Sequence, residues 1–236
     1  MLGLGNGDEV GGLSPAEPPS RPDQKSSSLI SMTEEYVEVV RAVLAGEEHE
    51  GELFRTGRIA LDRPPRAGMP IYLGALGPRM LSLAGRIADG VILDLMSPEQ
   101  AGEAATAVRA AAHDAGRDPG SVQVLAVIHC CLSDDAALAA EAARAVVPRY
   151  ALRPGADRLF GARLDEARGH ARAGDHEAAA RHVPQRVADR FVAHGDAVAC
   201  SARVAEYRAA GIDLPVLFPM PVAGIWDLPL LINAFA

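Results

Sequence analysis

The chain has 236 residues, with 31 acidic against 23 basic side chains for a net charge of −8, and 49% hydrophobic against 23% charged residues. That is ordinary globular composition with chain enough for a sizeable core, which excludes a disulfide-stapled mini-protein, a fibrous chain and wholesale disorder. The acidic balance offers no general footprint for nucleic acid or an anionic membrane surface, because phosphate contacts need clustered Lys and Arg.

Lys25 is the one lysine, and alanine makes up almost a fifth of the chain; this bias reflects a GC-rich source more than a mechanism. Cys130, Cys131 and Cys200 are odd in number and too few for a disulfide scaffold, which suits reduced thiols. No basic segment followed by an apolar core opens the chain, and no stretch reaches the roughly 18 apolar residues of a membrane span. The expectation is a soluble, cytoplasmic protein.

In chain order, Leu2-Gly3-Leu4-Gly5-Asn6-Gly7 reads as the end of a strand; its glycine spacing misses the dinucleotide fingerprint by one residue. Residues 6–31, rich in Pro, Gly and Ser, are expected to form a flexible loop. Ser31-Met32-Thr33-Glu34 has capping-box spacing, so a helix is expected from there, with Met32, Tyr36, Val39, Val40, Val43 and Leu44 on its apolar face and Gly46 at its end. Pro70 to Ala75 reads as a strand, Arg79 to Ala88 as a helix and Val91 to Asp94 as a second strand. Ser97-Pro98-Glu99-Gln100 starts a helix running to about Ala115. Val122 to Cys131 is a third strand, and Asp134 or Asp135 caps the helix after it. Residues 155–182 carry no strand signal, Pro184–His194 and Ala197–Ala210 read as helices with Val204 and Tyr207 facing inward, and Pro215–Phe218 is the last strand. Strands alternating with helices imply an α/β fold with about five parallel strands and right-handed crossovers.

Four places carry chemistry. Ala75-Leu76-Gly77-Pro78-Arg79-Met80 joins a strand end to a helix start, where small residues let a ligand approach the backbone and the N–H groups of Arg79 and Met80 face an anion. The same residues also suit a tight turn with no ligand. His129-Cys130-Cys131 is not expected to bind metal, because successive strand side chains point to opposite faces. His129 alone reads either as a hydrogen-bonded core histidine or as an active-site residue at a strand end. Asp94, closing its strand, reads as an acid, a ligand-orienting group or a cap on the following loop. His113, His170, His176, His182 and His194 fall in polar surroundings and read as solvated.

Glu35-Tyr36-Val37 with Arg41 to Glu47, then Pro70 to Met80, then Ala84-Gly85-Arg86-Ile87-Ala88-Asp89-Gly90-Val91, together resemble the luciferase-like flavin- or deazaflavin-dependent oxidoreductases, and Tyr207 to Asp213 is similar to the family's ending. The resemblance covers about residues 32–220, with a weaker match at Leu2–Gly7. It implies a TIM (β/α)8 barrel, with the strands here matching the family's fourth to eighth: a partial barrel lacking the N-terminal strands, made of a residual strand and loop over 1–31 and an incomplete barrel domain over 32–236. It implies that Ala75, Leu76, Gly77 and Pro78, with Arg79 and Met80, hold the phosphate tail of coenzyme F420, that Gly3 and Gly5 border the cofactor ring, and that His129 and Asp94 are the catalytic candidates near it. The family's Asp-His pair and strained bulge on earlier strands have no counterpart. The expected activity is hydride transfer between F420 and a small organic substrate. The alternatives are an FMN-dependent monooxygenase, or an inactive truncated barrel that binds only a ligand or partner. A homo-oligomer, or pairing with the missing strands, is the expected assembly.

Overall fold

A computed structural model of the chain describes residues 2–4, 29–63, 65, 68–153 and 156–235, the Arg158 side chain excepted. Gly5, and the loop expected over 6–31 as far as residue 28, lie outside the described residues. Two compact units form, Met1–Ile92 with Thr106–Gln123 and Leu93–Ala105 with Val124–Ala236.

The first unit holds, in order, β1 (Leu2–Leu4), α1 (Leu29–Ala45), β2 (His49–Glu50), β3 (Arg55–Thr56), β4 (Ile71–Gly74), α2 (Pro78–Ile87), most of β5 (Gly90–Asp94) and the later part of α3 (Pro98–Asp114). β1 runs parallel to β4, with Leu2 opposite Ile71 and Leu4 opposite Leu73. β4 runs parallel to β5, with Tyr72 opposite Gly90 and Gly74 opposite Ile92. Parallel neighbours need a crossover, and α2 is that crossover. Gly85 on α2 is required by close approach: a Cβ there would lie 2.3 Å from the Val108 carbonyl of α3. Arg117 closes the end of α2 by donating to the Gly85 and Ala88 carbonyls at 2.6 and 2.7 Å.

Helix α1 departs from expectation at its start and at Tyr36. Its described part opens at Leu29, so Ser31 lies within the helix rather than at its N-cap, and the Thr33 hydroxyl donates back to the Leu29 carbonyl at 2.8 Å. Val37 and Val39 are its buried residues, whereas Tyr36 is 46% exposed. The rest of the expected face holds, with Val39 buried and Met32, Val40, Val43 and Leu44 half-buried, while Tyr36 meets the Phe54 ring edge-on at 5.9 Å. The expected end is found. Gly46 has φ 73°, and the Gly46 and Glu47 N–H groups donate to the Val43 and Ala42 carbonyls at 3.1 and 2.8 Å, the paired bonds of a Schellman end.

The second unit takes the end of β5, the start of α3 and nearly all of β6 (Gln123–Leu132). It continues with α4 (Ala136–Ala151), α5 (Ala156–Phe160), α6 (Asp165–Arg172), α7 (His176–Arg181), α8 (Gln185–Phe191), β7 (Ala193–Gly195), α9 (Ala197–Ala209), β8 (Leu214–Pro219) and α10 (Leu228–Phe235). β6 pairs in parallel with β8 from Leu125 opposite Leu214 to Cys130 opposite Pro219, and its end pairs with β7. The parallel α/β class is therefore as the alternation of elements predicts.

The box at Ser97 forms as expected: the Ser97 N–H donates to Gln100 Oε1 at 3.2 Å and the Gln100 N–H to Ser97 Oγ at 3.3 Å. Asp135, not Asp134, caps α4, accepting from the Ala137 and Leu138 N–H groups. The helix expected over Pro184–His194 is corrected: it stops at Phe191 and Ala193–Gly195 form β7, a strand too short for its alternation to register. Val204 and Tyr207 are buried as expected, and the Tyr207 hydroxyl donates to the Met96 carbonyl at 2.5 Å.

Residues 156–191 supply three short helices and α8, whose Phe160, Leu164, Ala167, Val187 and Phe191 form one core with Val146 and Val147 of α4. Phe160 and Phe191 meet edge to face at 5.0 Å between ring centres. Truncating a large buried aromatic removes its transfer energy and leaves a cavity. Phe191→Ala is therefore expected to lower unfolding stability by about 3–5 kcal/mol, measured by urea titration with unchanged slope; a loss under about 1 kcal/mol would contradict this packing.

Candidate active site

At the end of β5, Asp94 meets His129 of β6: the histidine Nε2 lies 3.1 Å from Asp94 Oδ1. Tyr150, near the end of α4, brings its hydroxyl oxygen to 2.8 Å from the same Nε2 and 3.4 Å from Asp94 Oδ1. Arg153, two residues past α4, sets Nη1 3.6 Å from Asp94 Oδ2 and its guanidinium 4.3 Å above the Tyr150 ring centre. On its other edge the imidazole meets Met220 Sδ 3.5 Å from Nδ1, and the Phe218 ring stands edge-on at 5.3 Å. His129 is only 5% exposed.

The three polar groups can share their protons without stranding a donor. With Nε2 protonated, its N–H faces both Asp94 and the Tyr150 oxygen, and the Tyr150 O–H donates to Asp94, so no donor is stranded in a buried site. Burial opposes ionisation of Asp94, but the hydrogen bond and charge of His129, the Arg153 guanidinium and the Tyr150 hydroxyl outweigh it and hold its carboxyl below the usual range. Burial, with the Asp94 carboxylate adding to it, pushes the Tyr150 phenol above its usual range. At neutral pH the cluster thus sets a fixed carboxylate beside two proton-bearing groups, an arrangement able to hold and hand on one proton.

Both expected catalytic residues are thus brought together, and Asp94 corrects one reading: it faces His129 and Tyr150 rather than capping the loop after β5. Cys130 turns instead to Cys200, which with burial pushes its thiol up, and burial pushes the Cys131 thiol up to about 12, so both remain unreactive thiols. Among the described residues, no group of three His, Cys, Asp or Glu side chains is placed to hold a metal ion. His194, expected to be solvated, sits in β7 with Nε2 2.9 Å from Asp189 Oδ1.

The Ala75–Met80 turn lies in the first unit, at the end of β4 where β1 also ends. Ala75 is buried and ties to the strand through its N–H to the Ile92 carbonyl, while Leu76, Gly77, Pro78 and Arg79 are exposed. Gly77 is the extended N-cap of α2, with no side-chain cap and Pro78 following it in the first turn. A Cβ at Gly77 would meet nothing within 4 Å, leaving room there for an anionic oxygen. Met80 is corrected: its N–H donates to the Gly77 carbonyl at 3.0 Å, so of the two N–H groups expected to face an anion Arg79 supplies the open one. Gly3 stands opposite Tyr72 in the middle of β1.

Tyr150 and Arg153 escaped the sequence reading. Their three-residue spacing at the end of an alanine-rich helix is the faint signal, but only the folded position of α4 gives it meaning. Glu35 was quoted for resemblance alone, and its work is structural: its carboxylate accepts the Leu53 and Phe54 N–H groups at 2.8 and 2.5 Å and faces His49 Nε2 at 3.5 Å, fixing the β2–β3 hairpin to α1.

A sequence model described as luciferase-like monooxygenase matches residues 27–214. The chain belongs to that family. Within it, the chain is 35% identical over 154 residues to a 5,10-methylenetetrahydromethanopterin reductase of Methanolobus tindarius, covering 62% of this chain and 43% of that protein. It is 27% identical over 218 residues to an F420-dependent glucose-6-phosphate dehydrogenase of Mycolicibacterium gilvum, covering 90% and 61%. The solved coenzyme F420-dependent tetrahydromethanopterin reductase of Methanopyrus kandleri superposes with a TM-score of 0.71 at 26% identity, over 82% of this chain and 58% of that one. The chain thus spans about half the length of the relatives it matches. No described helix is long and apolar enough to cross a membrane.

Because Asp94 has its acidity raised by folding, its contribution to stability is complete above the unfolded carboxylate pKa of about 3.9 and is lost as pH falls through the lower folded value. Asp94→Asn is expected to unfold more easily than the parent at pH 7, with the difference shrinking below about pH 4. Thermal melts at a series of pH values check this; a difference that grows in acid would contradict the network.

Proposed function

We propose that this member of the luciferase-like family is an oxidoreductase that transfers hydride between coenzyme F420 and a small organic substrate. The observation that carries the reading is the buried Asp94–His129–Tyr150 network, at the end of β5 and on β6 and α4. The similarity to relatives named as F420-dependent supports it. Bound at the protein, the deazaflavin supplies the hydride chemistry. Gly77 and the Arg79 N–H would hold its phosphate, a role the open space at Gly77 and the uncapped start of α2 fit. His129 and Tyr150 would hold the proton that leaves or joins the substrate oxygen, at Nε2 and the phenolic oxygen, and Asp94 would fix both in place. His129, with Arg153 and the Tyr150 hydroxyl, keeps Asp94 ionised.

The second reading, an FMN-dependent monooxygenase, is favoured by the description of the matching family and by the fold shared with a long-chain alkane monooxygenase. Titration of the chain with F420 and with FMN, followed by anaerobic F420 turnover and oxygen uptake, separates the two. Tight F420 binding with turnover and no oxygen uptake is expected; efficient FMN-dependent oxygen consumption would overturn the first reading.

Two substitutions locate the chemistry. Gly77→Asp puts a carboxylate where the phosphate would sit and is expected to weaken F420 binding at least tenfold, read by fluorescence; unchanged binding would remove the phosphate from this turn. His129→Gln is expected to lower kcat by about 10²–10⁴ with little change in KM for F420, the scale of a lost general acid or base. A kcat within threefold of the parent would show that His129 is a core residue only.

A further inference from the structure

A cavity of about 320 Å³ lies within the second unit, between the ends of β6 and β8, the start of α4 and helix α10. It stands apart from the hydrogen-bonded cluster, since none of Asp94, His129 and Tyr150 lines it. Its inner walls are apolar, from Leu132, Leu138, Val222, Leu230 and Leu231. The volume is at the small end for a ligand pocket and about twice the engineered ~150 Å³ void that takes up benzene. It therefore suits a chain of about six carbons with a small head group.

The rim decides which head group. Asp134, Asp135 and Asp227 border the cavity, and none of the described residues lining it is Lys, Arg or His. Two of these acids begin helices: Asp135 Oδ1 accepts the Ala137 and Leu138 N–H groups at the start of α4, and Asp227 Oδ1 accepts the Leu230 N–H at the start of α10. A helix start carries about half a positive charge. Two such starts against three carboxylates leave the rim at roughly −2, and the caps already occupy N–H groups that an anion would need.

Asp134 differs from the other two. It is exposed at the rim, caps no helix, and its carboxylate makes no ion pair or hydrogen bond among the described residues. A carboxylate without a cation of its own, at the mouth of an apolar cavity, is complementary to an ammonium ion on a short aliphatic chain.

We propose that this cavity binds a small organic ammonium ion, with its chain among Leu132, Leu138, Leu230 and Leu231 and its charged nitrogen toward Asp134. The site is separate from the place of hydride transfer, so the inference does not rest on the oxidoreductase reading. Met220 reports on it from within, because it lines the cavity and also sets its sulfur 3.5 Å from His129 Nδ1.

The test is NMR titration of the full chain, methyl-labelled at methionine, with butylammonium, hexylammonium, hexanol and hexanoate at low and high salt. Hexylammonium is expected to shift the Met220 methyl resonance and to leave that of Met80, in the first unit, in place. At low salt it should bind at least about fourfold more tightly than butylammonium, from the two added methylenes. It should also bind at least about threefold more tightly than hexanol and tenfold more tightly than hexanoate, an advantage that shrinks at high salt. Asp134→Asn, which leaves both helix caps intact, should weaken hexylammonium about threefold and lower its salt dependence. Leu138→Trp fills the cavity and should weaken it at least about tenfold, whereas Val198→Trp on the exposed face of α9 should bind like the parent. Hexanol or hexanoate binding as tightly as hexylammonium would overturn the proposal. So would an unmoved Met220 methyl, or parent-like binding by both Asp134→Asn and Leu138→Trp.

Discussion

A histidine ring has two polar nitrogens, and burying it to 5% exposure requires that folding supply partners for them. Here the supply is Asp94, and much of the second unit follows from that pairing. β5 carries the carboxylate on its last residue, at a point where the imidazole of β6 can reach it. The carboxylate in turn is costly to bury unless it is countered, and Arg153 and the Tyr150 hydroxyl counter it. Met220, which follows β8 directly, sets its polarizable sulfur 3.5 Å from the remaining ring nitrogen. Each partner arrives from a different element, so the cluster is a sum of tertiary positions rather than a local motif.

The apolar core explains how those positions are held. Tyr150 sits at the far end of α4 and Arg153 two residues past it, and Val146 and Val147 of that helix are packed against Phe160, Val187 and Phe191. The helices of residues 156–191 add no polar group to the cluster, yet they fix the helix that supplies half of it. A side chain locked by packing loses little further freedom when it acts, which is the physical value of such a shell.

How much of this could be read from residues alone varies with the range of the interaction. Local chemistry was legible: the reciprocal Ser97–Gln100 cap, the left-handed Gly46 and the proline-led start of α2 each depend on neighbours within four residues. Alternation of strands and helices predicted the parallel pairing. Where the outcome depended on distant packing, sequence reasoning went astray. Tyr36 stays half exposed against Phe54 although Val39 of the same expected face is buried, and β7 reads as helix because three residues show no period. The site divides in the same way. His129 and Asp94 were visible as polar residues ending apolar strands, whereas Tyr150 and Arg153, 21 and 24 residues beyond His129 in the sequence, carry no signature until α4 turns them back.

The proposed function places redox chemistry beside His129. Nitrogen-15 NMR of the seven histidine rings, recorded on the full chain with and without F420, tests it most directly. On saturation with F420 the His129 Nε2 resonance is expected to shift while those of the exposed His113, His176 and His182 stay in place. F420 binding that leaves His129 untouched, or that moves only the exposed rings, would contradict it.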